Sequence, residues 1–253
     1  MSESSNKNNK LEVQDPGLQL DIEEGCTLLV DKPLYFTSFD VVNKLKFAIQ
    51  RAFKIKDLKI GHGGTLDPRA TGLLIICLGK HTKRLQALQN LPKEYVGTMF
   101  LGATTPSYDT ESAVDKIYPV DHITDELLQV KVRTFLGIID QIPPIFSAVK
   151  VQGTPAYKSA RQGKSIQLNP RKVEILSFDI LHHHLPLTDF KVYCSKGTYI
   201  RSLIHDLGQA LQSGAYLKSL TRTKIGPFNL ATAWSLDHLV KAIEVAGMAT
   251  PAK

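Results

Sequence analysis

Of 253 residues only three are cysteine, and Cys26, Cys77 and Cys194 include no C-x-x-C pair. So few and so dispersed, they exclude a disulfide framework and a thiolate metal site, and predict buried, reduced thiols in a cytoplasmic protein. Long apolar runs are missing too. The longest, residues 73–78, has six residues, against the ~18–20 a membrane-spanning helix needs. Residues 1–10 are polar, with neither the apolar stretch of a secretory signal nor the Arg-rich amphipathic pattern of a transit peptide. What is present is ordinary globular composition, 43% hydrophobic and 22% charged, which excludes a mainly disordered or fibrous chain. The length suits one large domain or two small ones.

Recognisable cofactor and metal motifs are also absent. Gly79-Lys80-His81-Thr82 mimics a phosphate loop, but the G-x-x-x-x-G-K-[ST] spacing fails. His182-His183-His184 is adjacent in an extended segment, where alternate side chains face opposite ways, so the three cannot converge on one ion. No G-x-S-x-G elbow supports a serine nucleophile. A glycosidase needs two carboxylates flanking a sugar.

The net charge of +7 is unevenly placed. Residues 1–43 carry 3 basic and 8 acidic side chains, and residues 94–149 carry 3 and 8. Residues 44–93 carry 11 and 2, and residues 150–224 carry 12 and 4. Two basic blocks separated by an acidic one suggest a polyanion-binding face assembled from distant segments, with the acidic 94–149 block turned away. Solvated helix faces would give the same pattern.

Residues 1–20, rich in Ser, Asn, Lys and Gln, read as a disordered tail. Short strands are predicted near residues 26–30, 72–78, 94–101, 173–181, 190–194 and 216–225. Helices are predicted from Ser38, its apolar face Val41, Val42, Leu45 and Ile49, and over residues 80–90. Others run from Thr124 to about Phe135, from Tyr199 to Leu211, and over a short stretch after Ser235. Strands interrupted by single helices give a mixed α+β class rather than a regular βαβ array.

The most informative segment is Gly61-His62-Gly63-Gly64-Thr65-Leu66-Asp67-Pro68. Three glycines in four positions let the backbone turn and approach a ligand closely. Pro68 pushes Asp67 into extended geometry, presenting its carboxylate. Such a carboxylate can be a nucleophile or a base. An Asp-Pro after Gly can equally begin a simple turn. The residues alone leave both readings open.

With Arg69-Ala70-Thr71-Gly72 this loop resembles the signature of the TruB family, the tRNA pseudouridine(55) synthases. Further segments match in the family's order. They are Asp31-Lys32-Pro33 with Thr37-Ser38, Lys93-Glu94-Tyr95 leading to Leu101-Gly102, and Pro143-Pro144-Ile145-Phe146-Ser147-Ala148-Val149-Lys150. Cys194-Ser195-Lys196-Gly197-Thr198-Tyr199-Ile200-Arg201 follows, then Leu220-Thr221-Arg222-Thr223 with Gly226-Pro227-Phe228. The match covers about residues 25–240. Residues 104–109 most resemble short bacterial members.

The resemblance implies an isomerase that converts uridine to pseudouridine at position 55 in the T-loop of tRNA, without cofactor or metal. Asp67 matches the catalytic aspartate, which attacks ribose C1′, acts through a glycal, or adds to uracil C6. His62 matches the residue that enters the loop where the base leaves. Tyr95 matches the aromatic that stacks on the flipped base. Without the family, Tyr95 reads as a cross-strand core aromatic. Tyr199 is a candidate proton acceptor beside the base. Arg201 matches the arginine that pairs with the aspartate, and Leu220 an apolar wall. Lys32 and Lys150 complete the substrate-binding candidates, Lys32 in a turn of structural character.

The implied fold is the α+β pseudouridine synthase fold, a central mixed, largely antiparallel sheet flanked by helices. Residues 1–24 form the tail and residues 25–230 the catalytic domain, with a thumb-like arm inserted at about residues 143–171. Residues 231–253 form a short C-terminal helix and tail, with no full PUA domain. The implied partner is tRNA through its T-arm, bound by a monomer with no membrane. An alternative is a tRNA-binding or tRNA-folding protein in which modification is secondary. Gly63 stands where Thr or Ala is usual, and Phe146 where Tyr is common, which removes a hydroxyl.

Overall fold

The computed structural model describes residues 20–21, 24–147, 149–151, 154–155 and 168–249. Most of the expected N-terminal tail and residues 156–167 of the expected arm lie outside the described residues.

The chain opens with β1 (Thr27–Lys32) and α1 (Ser38–Phe53). The expected cap of α1 shifts by one residue. Thr37, not Ser38, accepts from the Asp40 N–H, and Asp40 reciprocates, closing a capping box. β2 (Ile60–His62) and β3 (Ala70–Leu78) follow, then α2 (Leu85–Asn90) after a 3-10 turn over Gly79–Arg84. Next come β4 (Lys93–Leu101), β5 (Ala103–Thr104), β6 (Lys116–Ile117), α3 (Asp125–Arg133) and β7 (Gly137–Gln141). The short strands β8 (Lys150–Val151) and β9 (Thr154–Pro155), within the expected arm, pair with each other and with no other described strand. β10 (Arg171–His184), β11 (Leu187–Cys194), α4 (Ile200–Ala210) and β12 (Ala215–Ile225) come next. The chain closes with β13 (Phe228–Asn229), β14 (Trp234–Ser235) and α5 (Leu236–Ala249).

Ten strands form one sheet in the order β14-β1-β3-β12-β4-β11-β10-β7, with β2 beside β3 and β13 beside β12. Only β1–β14 and β12–β3 are parallel. The α+β class and the mixed, largely antiparallel sheet are as expected. β7 was not anticipated: Gly137-Ile138-Ile139-Asp140-Gln141 alternates for too few residues to stand out.

Burial explains the strand patterns. β3 is buried on both faces, so it reads as a continuous apolar run. Val30 and Ile76 pack under α1 and α5, while Leu29, Leu73 and Ile75 pack against α2 and Phe228. β4 alternates, turning Tyr95, Met99 and Leu101 into the core beneath α4. Each such apolar side chain contributes about 1.5–3 kcal/mol on burial. His182, His183 and His184 fall on β10, where His183 alone turns inward to Thr188 Oγ1 at 2.6 Å. They do not converge.

Candidate active site

The Gly61–Ala70 segment crosses from β2 to β3 and is held at both ends and in the middle. The Gly63 N–H donates to Ile75 O at 2.8 Å and the Ala70 N–H to Asp67 O at 3.0 Å. Ser38 Oγ accepts from the Leu66 N–H at 2.8 Å. Gly64 sits at φ +135°, a conformation L side chains rarely adopt.

The strongest fixture is Arg222, a fully buried side chain on β12. Its guanidinium donates to Leu73 O at 2.8 Å, Gly64 O at 3.1 Å and Thr65 O at 3.3 Å. Strand β12 comes this close because residue 72 is glycine; a Cβ there would lie 2.4 Å from Arg222 O. Arg222 stood inside a recognised motif, but a lone arginine in a strand carries no signal of where it points.

Asp67 emerges from this clamp with a side chain 43% exposed, and meets Arg201 Nη2 at 2.8 Å. The Arg201 side chain is only 5% exposed. It is therefore no surface cation at a helix start. Its other donors reach Phe146 O at 3.0 Å and Ser107 O at 3.3 Å, and its Nε lies 3.6 Å from Asp109 Oδ2. Asp109 is buried and fixed by Ser107 Oγ at 2.6 Å and the Glu111 N–H at 2.8 Å. One guanidinium thus lies between two carboxylates, one accessible and one enclosed. One turn further along α4, His205 stacks on Tyr108 with centroids 3.8 Å apart, pinning the same loop. Asp109 corrects the expectation that the acidic 94–149 block faces away from the site.

The structure brings Asp67, Tyr95, Tyr199, Arg201 and Leu220 together in the lining of one cavity of about 540 Å³. Tyr95 is both a core aromatic and a cavity wall: it is buried, and burial pushes its phenol up against the opposing pull of the Arg222 charge. Tyr199 is half-buried and its phenol is also raised by burial. Its backbone is gripped by Gln141, which donates to Tyr199 O at 3.1 Å and accepts from the Tyr199 N–H at 2.8 Å. Tyr199 itself supplies no side-chain cap to α4. The unanticipated strand β7 thus orients a residue of the site.

Three candidates stand apart. His62 is half-buried at the end of β2, outside the cavity lining; burial, then Arg222, lowers its pKa. Lys32 is a correction: its side chain is completely enclosed, donating to Phe36 O at 2.6 Å and Pro33 O at 3.0 Å. It holds a turn behind the site and offers no surface to a substrate. Lys150 lies in the β8–β9 ribbon, and its side chain is outside the described residues.

Among the described residues the cavity lining carries six cations, Lys93, Arg171, Lys172, Lys196, Arg201 and Arg222, against one carboxylate, Asp67. They come from both basic blocks. Arg171, Lys172 and Lys196 are exposed at the mouth, suited to phosphates, while Lys93, Arg201 and Arg222 are buried.

Solved structures with this fold include a chain of a Cbf5-Nop10-Gar1 complex, at TM-score 0.65 and 33% identity over 87% of this chain. A chain of an archaeal box H/ACA sRNP Nop10-Cbf5 complex matches at TM-score 0.62 and 29% identity over 93%. This chain spans 54% and 61% of those two chains. Residues 50–200 match the model for the TruB family pseudouridylate synthase N-terminal domain, and the fold is that of a pseudouridine synthase. Residues 201–249 match the tRNA pseudouridylate synthase B C-terminal domain. The chain belongs to the TruB family. Relatives called tRNA pseudouridine synthase B include that of Flavobacterium johnsoniae, 53% identical over 87% of this chain and 97% of its own. That of Parabacteroides distasonis is 46% identical over 89% and 96%.

Proposed function

We propose that the cavity takes a uridine turned out of the T-loop of tRNA, at position 55, and isomerises it to pseudouridine. The observation that carries this reading is Asp67, the one carboxylate among the described cavity-lining residues, presented to solvent yet ion-paired to a buried arginine. Such a pair aims the carboxylate into the cavity. Extruding the base costs a few kcal/mol. Stacking on Tyr95 returns ~1–3 kcal/mol of that, and His62, neutral and near the loop's edge, fills the vacated space.

Asp67 acts on the sugar side, by attack on C1′ or by proton removal toward a glycal. The C1′–N1 bond breaks with its electron pair going to uracil N1. The base turns, C5 bonds to C1′, the C5 proton leaves and N1 takes one up, so the product is an isomer. In this reading Tyr199 accepts the C5 proton and Leu220 closes the wall, which their shared place in the cavity lining supports. Exposed Arg171, Lys172 and Lys196 hold T-arm phosphates, joined by Lys150 from the arm over residues 143–171. The enzyme works as a cytoplasmic monomer; buried Cys26, Cys77 and Cys194 suit a reducing compartment.

Release of tritium from tRNA carrying 5-tritiated uridine tests the reading. Stoichiometric release, with pseudouridine at position 55, is expected. Tight binding of tRNA with no release would leave an RNA-binding protein.

A further inference from the structure

Beneath the cavity three cations are withdrawn from water: Lys32 is 0% exposed, Arg222 1% and Lys93 6%. Their N–H groups go to carbonyl oxygens. Lys93 donates to Leu91 O at 2.5 Å and Gln89 O at 2.6 Å, while Lys32 and Arg222 hold the carbonyls given above. Among the described residues none of the three has a carboxylate within ion-pair distance. Burying unpaired charge is expensive, and like charges close together make it more so. Burial lowers Lys32 and Lys93 to about 8; Asp67 attracts Lys32 from beyond ion-pair distance, while Arg222 repels both. Stapling carbonyls needs donors, not charge; an amide side chain would serve. The charge is what a structural role leaves unexplained, and Lys93 and Arg222 line the cavity beside Tyr95.

We propose that Lys93 and Arg222, backed by Lys32, stabilise the negative charge that uracil carries while it is detached from the ribose. The inference rests on the isomerase reading. When the C1′–N1 bond breaks, the electron pair stays on N1 and spreads onto the two ring carbonyl oxygens; it is returned when C5 bonds to C1′. Fixed charges in a water-poor site stabilise such an anion without reorganising. A directed hydrogen bond would lock the ring in one orientation. Cations behind an aromatic floor attract the anion at every angle of its turn, which a reaction that rotates its own leaving group requires.

The test uses Lys93→Gln and Arg222→Gln, which keep N–H donors and remove charge, together with Lys93→Arg. Single-turnover conversion is followed on T-arm hairpins carrying uridine or 5-fluorouridine at the target position, by loss of each nucleoside from digests. Fluorine at C5 makes the detached base a weaker base that needs less stabilisation. Lys93→Gln should slow uridine conversion by about 100-fold, the size of losing one oxyanion-stabilising group. The deficit with 5-fluorouridine should be at least about tenfold smaller, and Lys93→Arg should keep most of the rate. Equal deficits on both substrates, as misfolding or weakened binding would give, overturn the proposal. Should Arg222→Gln fail to fold, Lys93→Gln carries the comparison alone. Failure of the isomerase reading is distinct: the unaltered protein would then convert neither hairpin.

Discussion

Arg201 and Asp67 meet at 2.8 Å across the boundary between protein interior and cavity, the guanidinium 5% exposed and the carboxylate 43%. The arginine belongs to the interior, and the aspartate opens onto the cavity. Because Asp109 lies on the far side of the same guanidinium, at 3.6 Å, Arg201 is shared rather than dedicated to Asp67. Arg201 orients Asp67 while Asp109 orients Arg201.

Asp67→Asn should abolish tritium release and leave tRNA affinity within about tenfold, ~1.4 kcal/mol. No second carboxylate lines the described cavity to replace it. A filter-binding isotherm alongside the release assay checks both parts. Substantial turnover by a sequence-verified variant would remove Asp67 from the chemistry.

Arg201→Ala should slow catalysis at least 100-fold, and raising the pH should not restore it, because what is lost is geometry. The same change leaves Asp109 buried without its cation, a cost of about 3–5 kcal/mol. The double variant Arg201→Ala with Asp109→Asn should recover part of the melting temperature but none of the rate. Full recovery of rate at alkaline pH would show that ionisation, not orientation, was the contribution.

Asp206, on α4, offers a clean stability test away from the chemistry. Burial alone raises it from 3.8 to about 6. Between those values the folded state binds more protons than the unfolded, so stability falls as pH rises through 6. Asp206→Asn should therefore melt roughly 2–6 °C higher than the unaltered protein at pH 7.5. The difference should vanish near pH 4. A gain independent of pH would mean that ionisation of Asp206 is not its source.

Affinity for tRNA should fall with salt at a log–log slope reflecting about 4–6 phosphate contacts. The exposed Arg171, Lys172 and Lys196 at the cavity mouth supply some of these, and an isolated T-arm hairpin should react nearly as well as whole tRNA. Titration of both RNAs across a salt series measures this. A salt-insensitive complex, or a hairpin that fails where whole tRNA succeeds, would place recognition elsewhere on the molecule.

The sequence by itself marked the Gly61–Pro68 loop and most of the longer strands and helices, and its family resemblance named five residues that the structure places around the cavity. These are local signals. Three glycines and an Asp-Pro mark a close backbone turn within eight residues, and strand and helix periods are read over one or two turns. Where a signal was strong the boundary held, as at Thr124, which accepts from the Leu127 N–H at 3.2 Å. Where two capping residues stood side by side, at Thr37 and Ser38, only the folded loop decided, because Ser38 Oγ was taken by Leu66.

Tertiary structure alone decided what stands behind the site. Asp109, Arg222, Lys93 and Gln141 lie in an acidic loop and in strands or their ends, and no local pattern, even in a recognised segment, marks what they contact. Lys32, expected to meet the substrate, is sealed behind it. Each of these roles depends on a contact between segments tens of residues apart: Arg222 holds the carbonyl of Gly64 158 positions away, and Gln141 the backbone of Tyr199 58 positions away. A polar side chain's neighbours in the interior are set by how the sheet brings distant strands together, and a hydrogen bond leaves no periodicity in the sequence that makes it.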